Sequence, residues 1–267
     1  MQKRGQVAIF VIIGVIIVIA FAILFFVKQE NVGLGRSQIN NEEFLSSEIK
    51  TIQHEVLDNC AQEQIKSAVK IYLENGGGFE EPDNYIKDNG KKYRILCQKI
   101  PNTENCLMQP LITNIFSKQL NDYIYDKIDN CIDFSEYEDR GYVINIQEDL
   151  TIDITITDDT INLNIKYPFT IERQGVILSS DGTQYRLALP VGDLFKAVNY
   201  ILGQESIYGT VDIVNYQITN LNKYKMQIKK PYPDKLYEIS LTDYPEYIIP
   251  FAIEDDGRYS RYEGRRA

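Results

Sequence analysis

Histidine occurs once in the 267 residues, as His54, and that scarcity removes most of the chemistry that depends on an imidazole. A Ser-His-Asp mechanism would have to use His54, which falls two residues from Ile52 and two from Val56 and so sits on the polar side of a helix. Ser67 and Lys70 have the Ser-x-x-Lys spacing that brings a lysine near a serine hydroxyl, but no companion Ser-Asp-Asn or Lys-Thr-Gly follows. No glycine-rich motif cradles a phosphate, no Cys-x-x-Cys pair is present, and no Asn-x-Ser/Thr sequon supports an N-glycosylated coat. Basic charge is also short: 28 Lys and Arg against 38 Asp and Glu leave a net charge of −10, which repels phosphate and argues against a nucleic-acid partner. The basic patch from Arg258 to Arg266, with Tyr259 and Tyr262 interleaved, reads as a solvated terminus. Asp133, Glu136, Glu138 and Asp139, like Glu254, Asp255 and Asp256, lack the spaced Asp-x-Asp-x-Asp-Gly pattern of a calcium loop and read as charged surface. No catalytic residue, cofactor, metal or small-molecule substrate is expected.

What the chain does have is one long apolar run. Val7 to Val27 holds 21 consecutive residues without a polar side chain. As a helix it would be roughly 32 Å long, close to the roughly 30 Å hydrocarbon core of a bilayer. Lys3 and Arg4 precede it, and Glu30 follows soon after Lys28, so the positive-inside bias keeps the start in the cytoplasm and sends the rest outside. The expected organisation is a basic leader at 1–5, a membrane span at 6–28, a polar link at 29–37, an extracytoplasmic domain at 38–255 and a basic tail at 256–267. Residues 7–27 would contact lipid, and the domain would meet a protein partner at the cell surface.

Lys3-Arg4-Gly5-Gln6 running directly into the apolar segment resembles an archaeal class III, prepilin-type signal. That resemblance implies cleavage between Gly5 and Gln6, with the hydrophobic helix retained. Pilin-like proteins of this kind commonly carry a glutamate five residues into the mature chain; counting from Gln6, this chain has Phe10. The whole chain is also similar to uncharacterised single-span archaeal proteins, through Cys60, Gly76-Gly77-Gly78 and Phe251-Ala252-Ile253, and no activity comes with that resemblance. A plain anchored interaction or structural protein is therefore expected ahead of a filament subunit, and both ahead of an anchored hydrolase.

The fold class expected beyond the span is α+β, with two long amphipathic helices, a mainly antiparallel sheet and a third helix. Leu45, Ile49, Ile52, Val56, Cys60, Ile65, Ala68, Val69 and Tyr72 step by three and four apart from one shift of five. They predict a helix from about Gln38 to Asn75, ended by Gly76-Gly77-Gly78. Leu111, Ile115, Leu120, Ile124, Ile128 and Cys131 predict a second, with Pro110 in its first turn. Between them a strand is expected at Tyr93–Ile100. Period-two alternation at Ile152–Ile156 and Ile161–Ile165 around Asp158-Asp159 predicts a hairpin, extended to a meander by Tyr142–Ile146 and by Phe169–Leu178 behind Pro168. A third helix is expected at Val191–Leu202 and late strands at Tyr224–Lys229, Leu236–Leu241 and Tyr247–Ile253. Ile207–Thr219 is ambiguous between strand and helix.

The four cysteines, Cys60, Cys97, Cys106 and Cys131, all follow the span and are even in number. Of three possible pairings, Cys60 with Cys131 is favoured because both lie on apolar helix faces, which leaves Cys97 with Cys106 to close a short loop. A four-thiolate zinc site and simple buried thiols are the competing readings.

Overall fold

A computed structural model describes residues 45–255 apart from 102, 104 and 105. The leader, the apolar segment with Gly5 and Gln6, the link, residues 38–44, and the tail with Asp256 lie outside the described residues. Among the described residues no helix is long and apolar enough to cross a membrane.

The described chain is α+β, with two sheets joined by helices. Helix α1 covers 45–52, passes through a π-helical stretch at Gln53–Asp58 and continues as Asn59–Glu74. The π-turn adds one residue to a turn. It moves the buried stripe from Ile52 to Leu57, a step of five, and from there to Ala61 and Ile65. The pattern's five-residue shift therefore falls at the π-turn, a turn before the place expected after Cys60. Helix α1 ends in a Schellman motif: Gly77 N–H donates to the Tyr72 carbonyl at 2.9 Å and Gly76 N–H to that of Leu73 at 2.8 Å. Gly76 holds φ at 69°, and a Cβ there would stand 2.7 Å from Arg94 Cβ and 2.8 Å from the Pro250 carbonyl. Only glycine fits.

Helix α2 is Thr113–Cys131 and α3 is Ser135–Asp139. The start of α2 corrects the expected one. Leu111 lies outside the helix, its backbone N–H and C=O both held by the side-chain amide of Asn199, at 2.9 and 2.8 Å, so Pro110 precedes the helix. The core face then uses Phe116 with Leu120, Ile124 and Ile128, whereas Ile115, expected inside, is 52% exposed. Helix α4 is Val191–Tyr208, six residues longer than expected, and stops at Gly209 in the left-handed region. The ambiguous stretch resolves into helix α5, Ile213–Thr219, capped by Asp212 accepting from Asn215 N–H.

The first sheet takes strands from both ends of the described chain. It contains β1 (Tyr85–Asp88), β2 (Lys91–Lys99), β3 (Cys106–Met108), β8 (Tyr224–Lys229), β9 (Lys235–Leu241) and β10 (Ile248–Ile253). Its order is β1-β2-β10-β9-β8, with β3 beside β1 on the edge of β2, and every pair is antiparallel except β2 with β10. β10 is buried along nearly its whole length, as a central strand should be, and reads as a continuous apolar run. The expectation of one sheet is thus corrected to two.

The second sheet has β6 (Ile161–Arg173) at its centre. β5 (Thr151–Ile156) pairs with its first half and β4 (Val143–Ile146) with its second, while β7 (Val176–Leu187) runs along its other edge. The β5–β6 hairpin stands as expected. Phe169–Leu178 does not form one strand, because β6 runs on through Pro168 and turns at Gln174-Gly175 into β7. Pro168 is tolerated because it sits in a bulge between Lys166 and Phe169, where no ladder N–H is demanded of it. Opposite that bulge Gly182 has φ 121°, and a Cβ there would collide with the Ile165 carbonyl.

Helices α1 and α2 lie side by side, with α1 reaching β10 of the first sheet and α2 reaching β5 of the second. One continuous apolar core links all of them; a smaller cluster of Tyr93, Ile95, Leu236 and Ala252 lies apart from it. The edges of the second sheet are covered by side chains. Ser117 donates to the Ile154 carbonyl on β5, and Tyr125 to that of Leu150, just before β5, at 3.0 Å. On β7, Gln53 donates to the Gly182 carbonyl at 2.7 Å. Such covering removes an open template for intermolecular pairing.

Candidate functional site

The two cysteine pairs are the ones expected. Cys60 in α1 joins Cys131 at the end of α2, with Cα atoms 6.1 Å apart, and Cys97 in β2 joins Cys106 in β3 at 5.3 Å. No described cysteine is free. Both separations suit a disulfide.

The Cys60–Cys131 bridge lies in a cleft of about 300 Å³ between α1 and α3. Glu55 and Glu63 line it from α1, Asp133 and Glu136 from the far side, and Tyr137 closes one end. The Tyr137 hydroxyl donates to Glu55, and burial together with that carboxylate pushes the phenol's pKa up. Asp133 accepts the Ser135 backbone N–H at 2.9 Å, which holds its carboxyl below the usual range. Arg140 pairs with Glu136 and covers the Tyr137 ring at 5.2 Å. The result is a concave acidic surface with a covalent strut in its wall. It suits a cationic side chain and holds no nucleophile poised beside a base. Of the acidic residues singled out from sequence, Asp133 and Glu136 reach this cleft, and Glu138 and Asp139 are exposed on α3. Among the described residues no group of three or more His, Cys, Asp or Glu is placed to hold a metal.

His54 is 70% exposed, with Nδ1 3.4 Å from Asp58 Oδ2. The Thr183 hydroxyl donates to the other oxygen of Asp58 at 2.8 Å. A hydroxyl, a carboxylate and an imidazole are thus in line, but the hydroxyl is on the carboxylate and the imidazole has no hydroxyl to activate. Ser67 is exposed, and Lys70 stands 3.9 Å from Glu74. Glu254 is used structurally: its backbone N–H donates to the Cys97 carbonyl at 3.0 Å and its carboxylate accepts the Lys99 N–H at 3.1 Å.

A second constellation is absent from the residues singled out by sequence. Glu205 on α4 has a side chain only 2% exposed. Its Oε1 accepts the Tyr237 hydroxyl, and its Oε2 lies 2.7 Å from Lys235 Nζ. Lys235 also donates to the Gly209 carbonyl that ends α4, and its Nζ lies 3.6 Å from Asp255 Oδ2. Burial first, then the charge of Glu205, drives the Tyr237 phenol far above its ordinary value. The signal was available: Leu194, Val198, Ile201 and Leu202 form the buried stripe of α4, and the next position on that stripe is Glu205. A carboxylate on a core stripe requires a buried partner.

No family model, curated protein or solved structure matches the chain.

Proposed function

We propose that the chain is a membrane-anchored extracytoplasmic protein that acts by binding another protein and not by catalysis. The observation that carries this reading is the complete pairing of the described cysteines, which suits an oxidising space outside the cytoplasm. The apolar run at 7–27 and its basic leading flank support the same placement. The acidic cleft beside Cys60–Cys131 is the surface assigned to the partner, which would present a basic segment to it. Nucleic acid, cofactors and small substrates have no part in this function.

Protease added to intact cells whose envelope admits it should remove the domain, and non-reducing peptide maps of native material should join Cys60 to Cys131 and Cys97 to Cys106. A protected domain or free thiols would refute the placement. Crosslinking in the native membrane should capture a protein partner, and capture should fall when Glu63, Asp133 and Glu136 are neutralised together as Glu63→Gln, Asp133→Asn and Glu136→Gln. Undiminished capture would remove the cleft from the function. Abundant fibres of this chain in sheared material would replace the anchored reading with the pilin-like one that Gly5-Gln6 favours.

A further inference from the structure

We infer that Lys235 and Asp255 form an intramolecular isopeptide bond, with Glu205 as the group that moves the proton. The backbone already places the reactants. Lys235 opens β9 and is in register with Ile253 of β10, so that Asp255, two residues beyond, returns its carboxylate to the lysine, with Oδ2 at 3.6 Å from Nζ. Glu205 approaches the same nitrogen from α4 at 2.7 Å. Three strengths of exposure fit three roles. Glu205, at 2%, is shut away from water; Lys235, at 12%, is held with little freedom; Asp255, at 28%, borders the solvent into which a leaving group can depart. The second carboxylate oxygen of Glu205 is fixed by Tyr237, which aims the first at Nζ.

The chemistry balances without any further reactant. An amine attacks only as the free base, so one ammonium proton passes from Lys235 to Glu205. Glu205 hands that proton to the Asp255 carboxylate, and Nζ adds to Cγ of the neutral carboxyl, forming the C–N bond. Glu205 then carries the second nitrogen proton to the departing Asp255 oxygen, and the C–O bond breaks with loss of one water. The product is a secondary amide, and Glu205 is again a carboxylate, now beside the amide N–H. Nothing is oxidised or reduced. Condensation of a carboxylate and an amine is ordinarily slow because the reactants must be desolvated and held together; here the fold holds them together and has shut Glu205 and most of Lys235 away from water. Lys196 and Lys223 also meet two carboxylates each, but those lysines are 61% and 42% exposed and have water around them.

The bond would seal β9 to the end of β10 and fasten both to the end of α4. It is read directly by mass. The full-length protein, purified folded and then denatured without reduction, should be lighter than the two-disulfide value by one water, and digestion should yield a branched peptide joining Lys235 to Asp255 that survives reduction. Asp255→Asn should lose one ammonia in place of the water and give the same branched product. Asp255→Ala, which leaves the Glu205–Lys235 pair and the fold in place, should show its full mass. Glu205→Gln should also show its full mass, with folding confirmed by circular dichroism. Wild-type protein at full mass, with Lys235 and Asp255 in separate peptides, would overturn the proposal; a folded Glu205→Gln variant that still carried the bond would remove Glu205 from it.

Discussion

Glu205 and Glu55 each accept a hydrogen bond from a tyrosine, Tyr237 and Tyr137 respectively, yet the two bonds stand in opposite settings. Glu205 is enclosed at the end of α4 and has Lys235 against its other oxygen. Glu55 is exposed on the rim of the cleft, where water can replace the phenol. The same donor and acceptor therefore do different things. In the interior, a carboxylate without its N–H donor has nowhere to turn; at the rim, the bond only orients a surface.

Four measurements would break or sharpen that contrast. The largest effect is expected for Lys235→Met, which takes from the buried Glu205 its nitrogen donor, the ammonium before the cross-link and the amide N–H after it. It should lower the unfolding free energy by about 3–5 kcal/mol in a denaturant titration. Next comes the cleft's covalent strut. Replacing Cys60 and Cys131 with Ala releases a loop of 71 residues and should cost about 3–4 kcal/mol, more than the same change at Cys97 and Cys106, whose separation is 9. Equal losses would mean that loop closure is not what the bridges contribute.

A third effect appears in alkali. Burial pushes Tyr72 up to about 12 and Tyr237 further. Because the folded pKa lies above the unfolded one, the folded chain holds protons that the unfolded chain releases. The stability these phenols contribute is complete below about pH 10 and is lost as pH climbs towards 12, on the order of 2 kcal/mol for Tyr72 alone. Tyrosinate absorbance should thus rise in two stages, exposed phenols first and the interior ones together with unfolding. A single smooth rise before any loss of circular dichroism would contradict the burial. The smallest change is expected at the rim, where Tyr137→Phe should cost about 1 kcal/mol or less, with Cys60–Cys131 intact.

Elements carried by local pattern were legible in the sequence. The β5–β6 hairpin shows because alternate residues face opposite sides and Asp158-Asp159 interrupts them. The pairing of Cys60 with Cys131 shows because both follow apolar helix stripes. The pairing of β2 with β10 does not, since it unites residues such as Arg94 and Phe251 that no local period relates. The start of α2 was misplaced because the amide of Asn199, far along the chain, decides the conformation of Leu111. The acidic cleft was half legible: Asp133 and Glu136 stood out as charged, but only the fold brings Glu55 and Glu63 opposite them. Glu205 was visible as a misfit on its stripe, while its partners Lys235 and Tyr237 come from a strand buried on both faces, whose pattern does not announce its neighbours.

The bridge between Cys60 and Cys131 also determines how the molecule carries tension. If the described chain is pulled from its two ends, force entering at residue 45 travels along the first half of α1 to Cys60 and crosses the sulfurs directly to Cys131. The span between them, a sequence separation of 71 that holds the rest of α1, strands β1 to β3 and nearly all of α2, is mechanically short-circuited. Extension under load must then come from the chain before Cys60 and after Cys131, including α3 and the second sheet, and a stretched molecule should fall short of its full contour length by that span and by the residues that the Lys235–Asp255 bond encloses. Adding a reductant during the pull should return the length of that span in two steps, the larger when Cys60–Cys131 opens and a smaller one when Cys97–Cys106 inside it follows.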